Sequence, residues 1–457
     1  MYIAEFYQHI TGQLSQITGW RLPPAPYFFP DLLVYSSIGF LQHYSLELTI
    51  YTYANLQILF LFAICFYLSK QLGLDKPFSF LCLLLSTLLL LPNIFFSYTK
   101  LWTVSGIHGG AFLVTLFTLS LSYSILNDKD YSSRKIWLLL LCNFCMGLSD
   151  RLYLAEFLVP FLVVLIIRVA IGLNDKRYLK LLVLSYLFPY ALGTFMHKRL
   201  PFHGAEFYLI RSDSIALQLQ RLYRDISNLP PTVSWYFFLV SLALLLLLVQ
   251  SCYQYYARFR LKKQNSPDTF ITFFSVQTFL LFFAVLYSSL YVDIETLKRY
   301  FIPTLFLPFL ATLYYYTKQV NFRKWFVLAL ILINVSLFAY QVQHPTKKEW
   351  QFYPPVVRCL DRLAKNYIIR FGFSEYWISR QVRLFSKTGI SLQPLNTELQ
   401  PFHWINNIHP YHRHSYNFIH TASFSRQKLI DKFGKPDHIE TCGKDRIYIY
   451  QQALRLN

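Results

Sequence analysis

Ten stretches of this chain read as membrane-spanning helices, near residues 48–69, 78–96, 105–126, 136–149, 152–172, 179–196, 232–252, 270–291, 300–317 and 325–342. A hydrocarbon core about 30 Å thick takes roughly 20 helical residues per crossing. Within it every backbone N–H and C=O must be bonded inside the protein, which leaves helices as the solution for runs of this length. The segment 28–43 is also apolar, but Pro30 and Asp31 interrupt it and it reads as interfacial. The span pair around Asp150 is short: residues 135–171 give roughly 55 Å of helix where two crossings take about 60 Å. Asp150 and Arg151 are therefore expected at the turn, at or just below the membrane surface.

Composition narrows the alternatives. Apolar residues make up 54% and charged residues 14%, against about 25% charged in soluble domains. That excludes intrinsic disorder and argues against a soluble multidomain enzyme. The net charge of +20 has its explanation in the membrane, because Lys and Arg concentrate in cytoplasmic loops. The turns 70–77, 127–135, 173–178, 253–269 and 318–324 hold 14 Lys and Arg, and the alternate loops 97–104, 149–152, 197–231 and 292–299 hold 9. This bias puts residues 1–47 and the tail 343–457 outside the cytoplasm. No nucleic-acid motif accompanies the charge, so nucleic acid is not an expected partner.

The first 20 residues lack the basic-then-apolar pattern of a cleavable signal. Beyond Gln341 the chain turns polar. Val356–Lys365 has helical periodicity, Tyr416–His420 is a strand candidate, and Arg426–Phe433 reads as a helix stopped by Gly434 and Pro436. His438–Thr441 and Arg446–Tyr450 flank a turn and read as a hairpin. The expected architecture is an all-α polytopic membrane domain of about ten helices (48–342), an extracytoplasmic or interfacial N-terminal segment (1–47) and a small extracytoplasmic α/β domain (343–457). Of the seven cysteines, Cys65, Cys82, Cys142, Cys145 and Cys252 lie in apolar runs, where a thiol behaves as a small hydrophobe. Cys359 and Cys442 fall in the tail and can pair if it faces an oxidising compartment.

Charged groups near membrane depth are costly and mark functional sites. The expected topology gathers Asp31, Lys100, His108, Asp150, Arg151, Asp293, Glu295, Lys298, Arg299 and Tyr300 on one face. Each has a plainer reading as a helix cap, interfacial pair or snorkelling anchor; their shared face is what argues for a site. P-loop, nucleophile-elbow, zincin and dinucleotide signatures are absent. The histidines 403, 409, 412 and 414 fit no zinc spacing, and with Trp404, Asn406 and Asn407 they read as a polar loop facing a ligand. No metal or organic cofactor is expected, and a divalent cation lacks a ligand pattern to hold it.

Several stretches carry a resemblance: GlyTrpArgLeuProProAlaProTyrPhePheProAspLeuLeuValTyr (19–35), HisGlyGlyAlaPhe (108–112), GlyLeuSerAspArgLeuTyr (147–153) and ArgTyrPheIleProThrLeuPheLeuPro (299–308). In the tail they are TyrProProValValArgCysLeu (353–360), HisTrpIleAsnAsn (403–407) and PheGlyLysPro (433–436). Together these resemble bacterial GT-C-type membrane glycosyltransferases, the superfamily of protein mannosyltransferases and aminoarabinose transferases. The resemblance implies an inner-membrane, multi-pass enzyme that takes a sugar from a polyprenyl-phosphate carrier at the outer face. Its acceptor would be an envelope glycan, lipid or protein. It implies a catalytic carboxylate from Asp31, Asp150 or Glu5, and substrate contacts from His108, Arg151, Lys298, Arg299, Tyr300, His403, Trp404 and Asn407. Basic groups, with a metal in some members, stabilise the departing phosphate. Superfamily members open with a spanning helix that ends at an acidic loop motif. This chain starts at TyrIleAlaGluPheTyrGlnHisIle (2–10), where that motif would finish, so it reads as starting late or as a shortened, inactive copy. The rival classes are a lipid or glycolipid transporter, marked by acids buried mid-helix, and a non-catalytic envelope scaffold.

Overall fold

The computed structural model describes residues 2–12, 19–23, 25–43, 45–72, 109–128, 132–170, 176–200, 202–204, 269–288, 353–413, 415–422 and 424–456, with isolated positions between 220 and 257. The expected spans at 78–96, 300–317 and 325–342, and nearly all of 232–252, lie outside the described residues.

The N-terminal segment folds as helix α1 (Tyr2–Gly12), strand β1 (Arg21–Leu22), a π-turn (Phe28–Leu32) and helix α2 (Leu33–Leu41). Long helices follow: α3 (Leu46–Gln71), α4 (Gly109–Asp128), α5 (Ser133–Ser149), a second π-turn (Leu154–Leu158) continuing into α6 (Val159–Ala170), and α7 (Lys176–His197). Strand β2 (His203–Gly204) pairs in parallel with β1, and α8 covers Thr269–Ser288. Among the described residues, two helices are long and apolar enough to cross a membrane, Leu46–Gln71 and Gly109–Leu126.

The helices pack around a mainly apolar interior into which polar side chains are set, and they are apolar on the outside as well. On α3, Thr49, Gln57 and Ser69 are buried while Leu48, Tyr51 and Leu59 are exposed. Helix α4 buries Thr115, Thr118, Ser120, Ser122 and Ser124. Three of these hydroxyls turn back onto the helix, Thr118 to the Val114 carbonyl at 2.7 Å, Ser120 to that of Leu116 at 3.0 Å and Ser122 to that of Thr118 at 2.6 Å. Trp137 on α5 and Leu184 and Phe188 on α7 present more than 60% of their surface outward. In water such exposure would be a large apolar patch; against lipid it costs nothing.

Helices α5 and α7 touch backbone to backbone. A Cβ on Gly147 would overlap the Tyr190 carbonyl oxygen, and one on Gly193 would overlap that of Phe144. Small residues at facing positions permit this approach. His197 Nδ1, 3.0 Å from the Leu148 carbonyl oxygen, closes the end of the pair.

The tail is a five-stranded sheet of order β4-β3-β5-β7-β6, with β3 Phe371–Ser374, β4 Ser391–Pro394, β5 Tyr416–His420, β6 His438–Cys442 and β7 Asp445–Leu454. Strand β3 runs parallel to β4 and β5, and β7 is antiparallel to β5 and β6. Four helices accompany it: α9 (Pro355–Leu363), α10 (Tyr376–Phe385), α11 (Pro410–Arg413) and α12 (Arg426–Phe433). The period-2 alternation of a strand splits the core. Phe418, Ile447 and Ile449 pack with Val357, Leu360 and Val382 on the α9 and α10 side. Ile419, Tyr448 and Tyr450 pack with Leu429 of α12 on the other. Asp361 locks α9 to the loop after α10, accepting from Tyr353, Ser386, Thr388 and the Lys387 N–H at 2.6–2.8 Å. A disulfide joins Cys359 of α9 to Cys442 at the end of β6.

Candidate active site at the carboxylate loop

The first π-turn puts Asp31 into the bundle. Tyr27 before it takes a left-handed φ of 57°, Phe29 is extended, and the Phe29–Pro30 bond is cis. This irregular loop is held by the end of α5. Ser149 Oγ accepts from the Phe29 N–H at 2.9 Å and donates to the Phe29 carbonyl at 2.6 Å. The Tyr27 N–H reaches the Ser149 carbonyl at 3.4 Å.

Asp31 is 1% exposed. Tyr53 donates to its Oδ1, Gln57 lies 3.4 Å from the same oxygen, and Gln57 also donates to the Tyr53 hydroxyl. Tyr53 and Gln57 stand one turn apart on α3, where i and i+4 side chains meet. The other face of the carboxylate lies against the start of α4, and a Cβ on Gly110 would overlap both it and the Pro30 ring. The HisGlyGly motif thereby acquires a physical reason: only glycine admits a carboxylate against this helix N-terminus, where the helix dipole favours negative charge.

Asp150 follows Ser149 directly. It caps α5 in an extended conformation, is 2% exposed, and its Oδ1 accepts the Leu152 N–H at 2.9 Å. The Ser149 staple thus carries the Asp31 loop onto the Asp150 turn. Arg151, next in the chain, is exposed. His108, Lys298, Arg299 and Tyr300 lie outside the described residues.

Glu5 belongs to a separate group. It is buried on α1 and paired with two guanidiniums of α10, Arg380 on Oε2 and Arg383 at 3.0 Å from Oε1. Burial pushes the Glu5 carboxyl up, but Arg380 and Arg383 outweigh that and hold it below the usual carboxylate range. Arg380 lies over the rings of Trp20 and Tyr376, and Arg383 donates to Asn406 Oδ1 at 2.9 Å. Burial lowers the His9 pKa more than Glu5 raises it. The neutral imidazole offers Nδ1 to Trp20 Nε1 and Asn407 Nδ2, both at 3.1 Å. The chain from Gly19 to Arg21 pairs with Asn406–Ile408 through backbone bonds of 2.9 and 3.0 Å. Asn407 therefore helps to dock the N-terminal segment on the tail. Trp404 packs on Tyr376 and Trp377, and His403 on Tyr411. Of the residues expected at a site, Glu5 as a catalytic carboxylate and His403, Trp404 and Asn407 as substrate contacts, Glu5 and Asn407 join α1 to the tail, and Trp404 and His403 pack in aromatic contacts beside them.

Sequence reasoning passed over Tyr53, Gln57, Ser149, Arg380 and Arg383. The available signal for the first two was a polar pair at helical spacing inside an apolar run; the arginines carry no local signal. It also passed over Glu156, a fully buried acid in the second π-turn whose Oε2 has Thr115 Oγ1 at 3.4 Å. Among the described residues no group of three or more His, Cys, Asp or Glu converges on one point. No family model, curated protein or solved structure matches the chain.

Proposed function

We propose that this chain is a polytopic membrane glycosyltransferase of GT-C type, working on a lipid-linked sugar at the outer membrane face. The observation that carries the reading is the stapling of the Asp31 loop to the Asp150 turn by Ser149. It ties the loop that carries Asp31 to the turn that carries Asp150, and both carboxylate residues are buried. The apolar side chains exposed on the outside of α3, α5 and α7 support placement in lipid. The docking of α1 on the tail supports placing both chain ends on one side, and the Cys359–Cys442 bond supports an oxidising compartment.

In this chemistry an acceptor hydroxyl gives its proton to a carboxylate while its oxygen bonds to the anomeric carbon. The bond from that carbon to the phosphate oxygen breaks, and the polyprenyl phosphate leaves with the electron pair. Asp31 is suited to the base role because Tyr53 and Gln57 fix its orientation. Asp150, held by the Leu152 N–H, is its neighbour for binding the acceptor. A positive charge near the departing phosphate would stabilise it, and Arg151 is the exposed cation adjoining the pair.

The test is transfer of labelled sugar from a polyprenyl-phosphate donor in vesicles containing the protein. Asp31→Asn and Asp150→Asn should each lower the rate by about 10²-fold or more with unchanged thermal unfolding. Transfer that survives both substitutions removes these carboxylates from the mechanism. Vesicles that exchange lipid between leaflets but glycosylate nothing favour the second reading, a lipid or glycolipid transporter. Glu156 specifically supports that reading, because it is an acid buried within a helical span.

A further inference from the structure

One ring nitrogen joins the N-terminal segment to the strap of tail at 403–409. His9 Nδ1 lies 3.1 Å from Trp20 Nε1 and 3.1 Å from Asn407 Nδ2. An indole N–H can only donate. The Asn407 amide is equally fixed: its Oδ1 accepts the His409 N–H at 2.9 Å, so its Nδ2 faces His9. Two donors converge on Nδ1, which therefore carries no proton, and the ring is the neutral Nε2–H tautomer. Around this point the two segments pair through their backbones. The Arg21 N–H reaches the Asn406 carbonyl at 2.9 Å, the Ile408 N–H reaches that of Gly19 at 3.0 Å, and Trp20 forms an antiparallel bridge with Asn407. The fit is close, since a Cβ on Gly19 would overlap the His409 ring.

We propose that His9 is a pH-operated latch on this strap, in which a proton taken up at Nδ1 parts Trp20 from Asn407 while α1 stays docked through Glu5. Protonation turns Nδ1 into a third donor facing two donors. Both hydrogen bonds are then lost, and buried donors left without an acceptor are costly. The charged groups facing His9 are Glu5 from its own helix and Arg380 and Arg383 from α10. The entry strand brings the Trp20 indole, and the strap brings Asn407 with His409 behind Gly19. Burial lowers the His9 pKa against the pull of Glu5, and Arg383 and Arg380 add to the lowering. The latched ring thus holds a proton less readily than the released one, so acid favours release. Glu5 keeps both guanidiniums meanwhile, because its own pKa is depressed. The latch does not depend on the transferase reading.

The test is amide hydrogen exchange of the full chain in detergent, read by mass spectrometry on peptides covering 19–23 and 403–410. Rates are expressed relative to unstructured peptide at each pH. Protection there should fall by about tenfold per pH unit below about pH 6.5 and level off below the depressed folded value, with α1 peptides unchanged. His9→Asn puts an amide oxygen close to the place of Nδ1, where it accepts from both donors and does not titrate. That variant should keep its protection down to about pH 5. Asn407→Asp supplies an acceptor for the Nδ1–H of the charged ring, so its protection should survive the same acidification or rise; it carries the test if His9→Asn fails to accumulate. Wild-type protection that stays level from about pH 7.5 to about pH 5 overturns the latch, as does a fall of the same size in both variants.

Discussion

The double ion pair at Glu5 has a definite pH signature. Its folded pKa is depressed, so the folded chain binds fewer protons at this group than the unfolded chain does. The stabilisation is complete above the unfolded carboxylate value of about 4.3 and is lost as pH falls through the lower folded value. Hydrogen exchange of α1 amides should therefore stay protected from about pH 8 to pH 5 and lose protection only under stronger acid. Glu5→Gln should open α1 at neutral pH, since breaking a buried pair costs roughly 3–5 kcal/mol. His420 gives a contrasting window. It is fully buried on β5, with Ser374 Oγ 3.2 Å from Nδ1. Burial lowers its pKa against the pull of Asp445, so its unfolded form takes up protons first. The sheet should begin to lose stability as pH falls below about 6.5, and His420→Asn should flatten that part of the profile. Urea titration at a series of pH values reads this directly.

Helix contacts make the next scale. Gly147→Leu or Gly193→Leu must push α5 and α7 apart, because each new side chain meets a backbone carbonyl rather than a movable side chain. Either change should cost about 1–3 kcal/mol or more and lower the unfolding temperature in detergent, whereas the same substitution at Gly12, where a Cβ meets nothing, should leave it unchanged. Elements with a strong local period were legible in the sequence. The helix expected at Val356–Lys365 is Pro355–Leu363, and the strand Tyr416–His420 and helix Arg426–Phe433 form at those residues. The expected hairpin closes through Cys442 and Asp445. Asp31 and Asp150 stood out because acids are rare in an apolar chain. The site's supporting residues did not. Ser149 meets Phe29 across 120 residues and Arg380 meets Glu5 across 375, and no spacing rule reaches that far. Glu156 escaped notice because a single acid leaves a span's mean hydropathy nearly unchanged.

At the scale of the whole molecule, the tail depends on a covalent tie and the N-terminal segment depends on the tail. Cysteines 359 and 442 are separated by 83 positions, a loop whose closure restricts the unfolded chain by about 4.5 kcal/mol in the chain-entropy account. Replacing both with Ser should lower the tail's urea midpoint and, through the loosened domain, raise exchange in α1 as well. Helix α1 holds Glu5, His9 and the rings of Tyr2 and Phe6 against Trp20, while Arg380, Arg383 and Asn407 close over them from the tail. The ribosome makes α1 well before those partners. During synthesis Glu5 and its aromatic neighbours on α1 lack these partners until about 375 further residues have been made. Completion of the clasp therefore reports that residues 376–407 have been made and folded, and a chain stalled before Tyr376 would carry α1 without its partners and open to proteolysis.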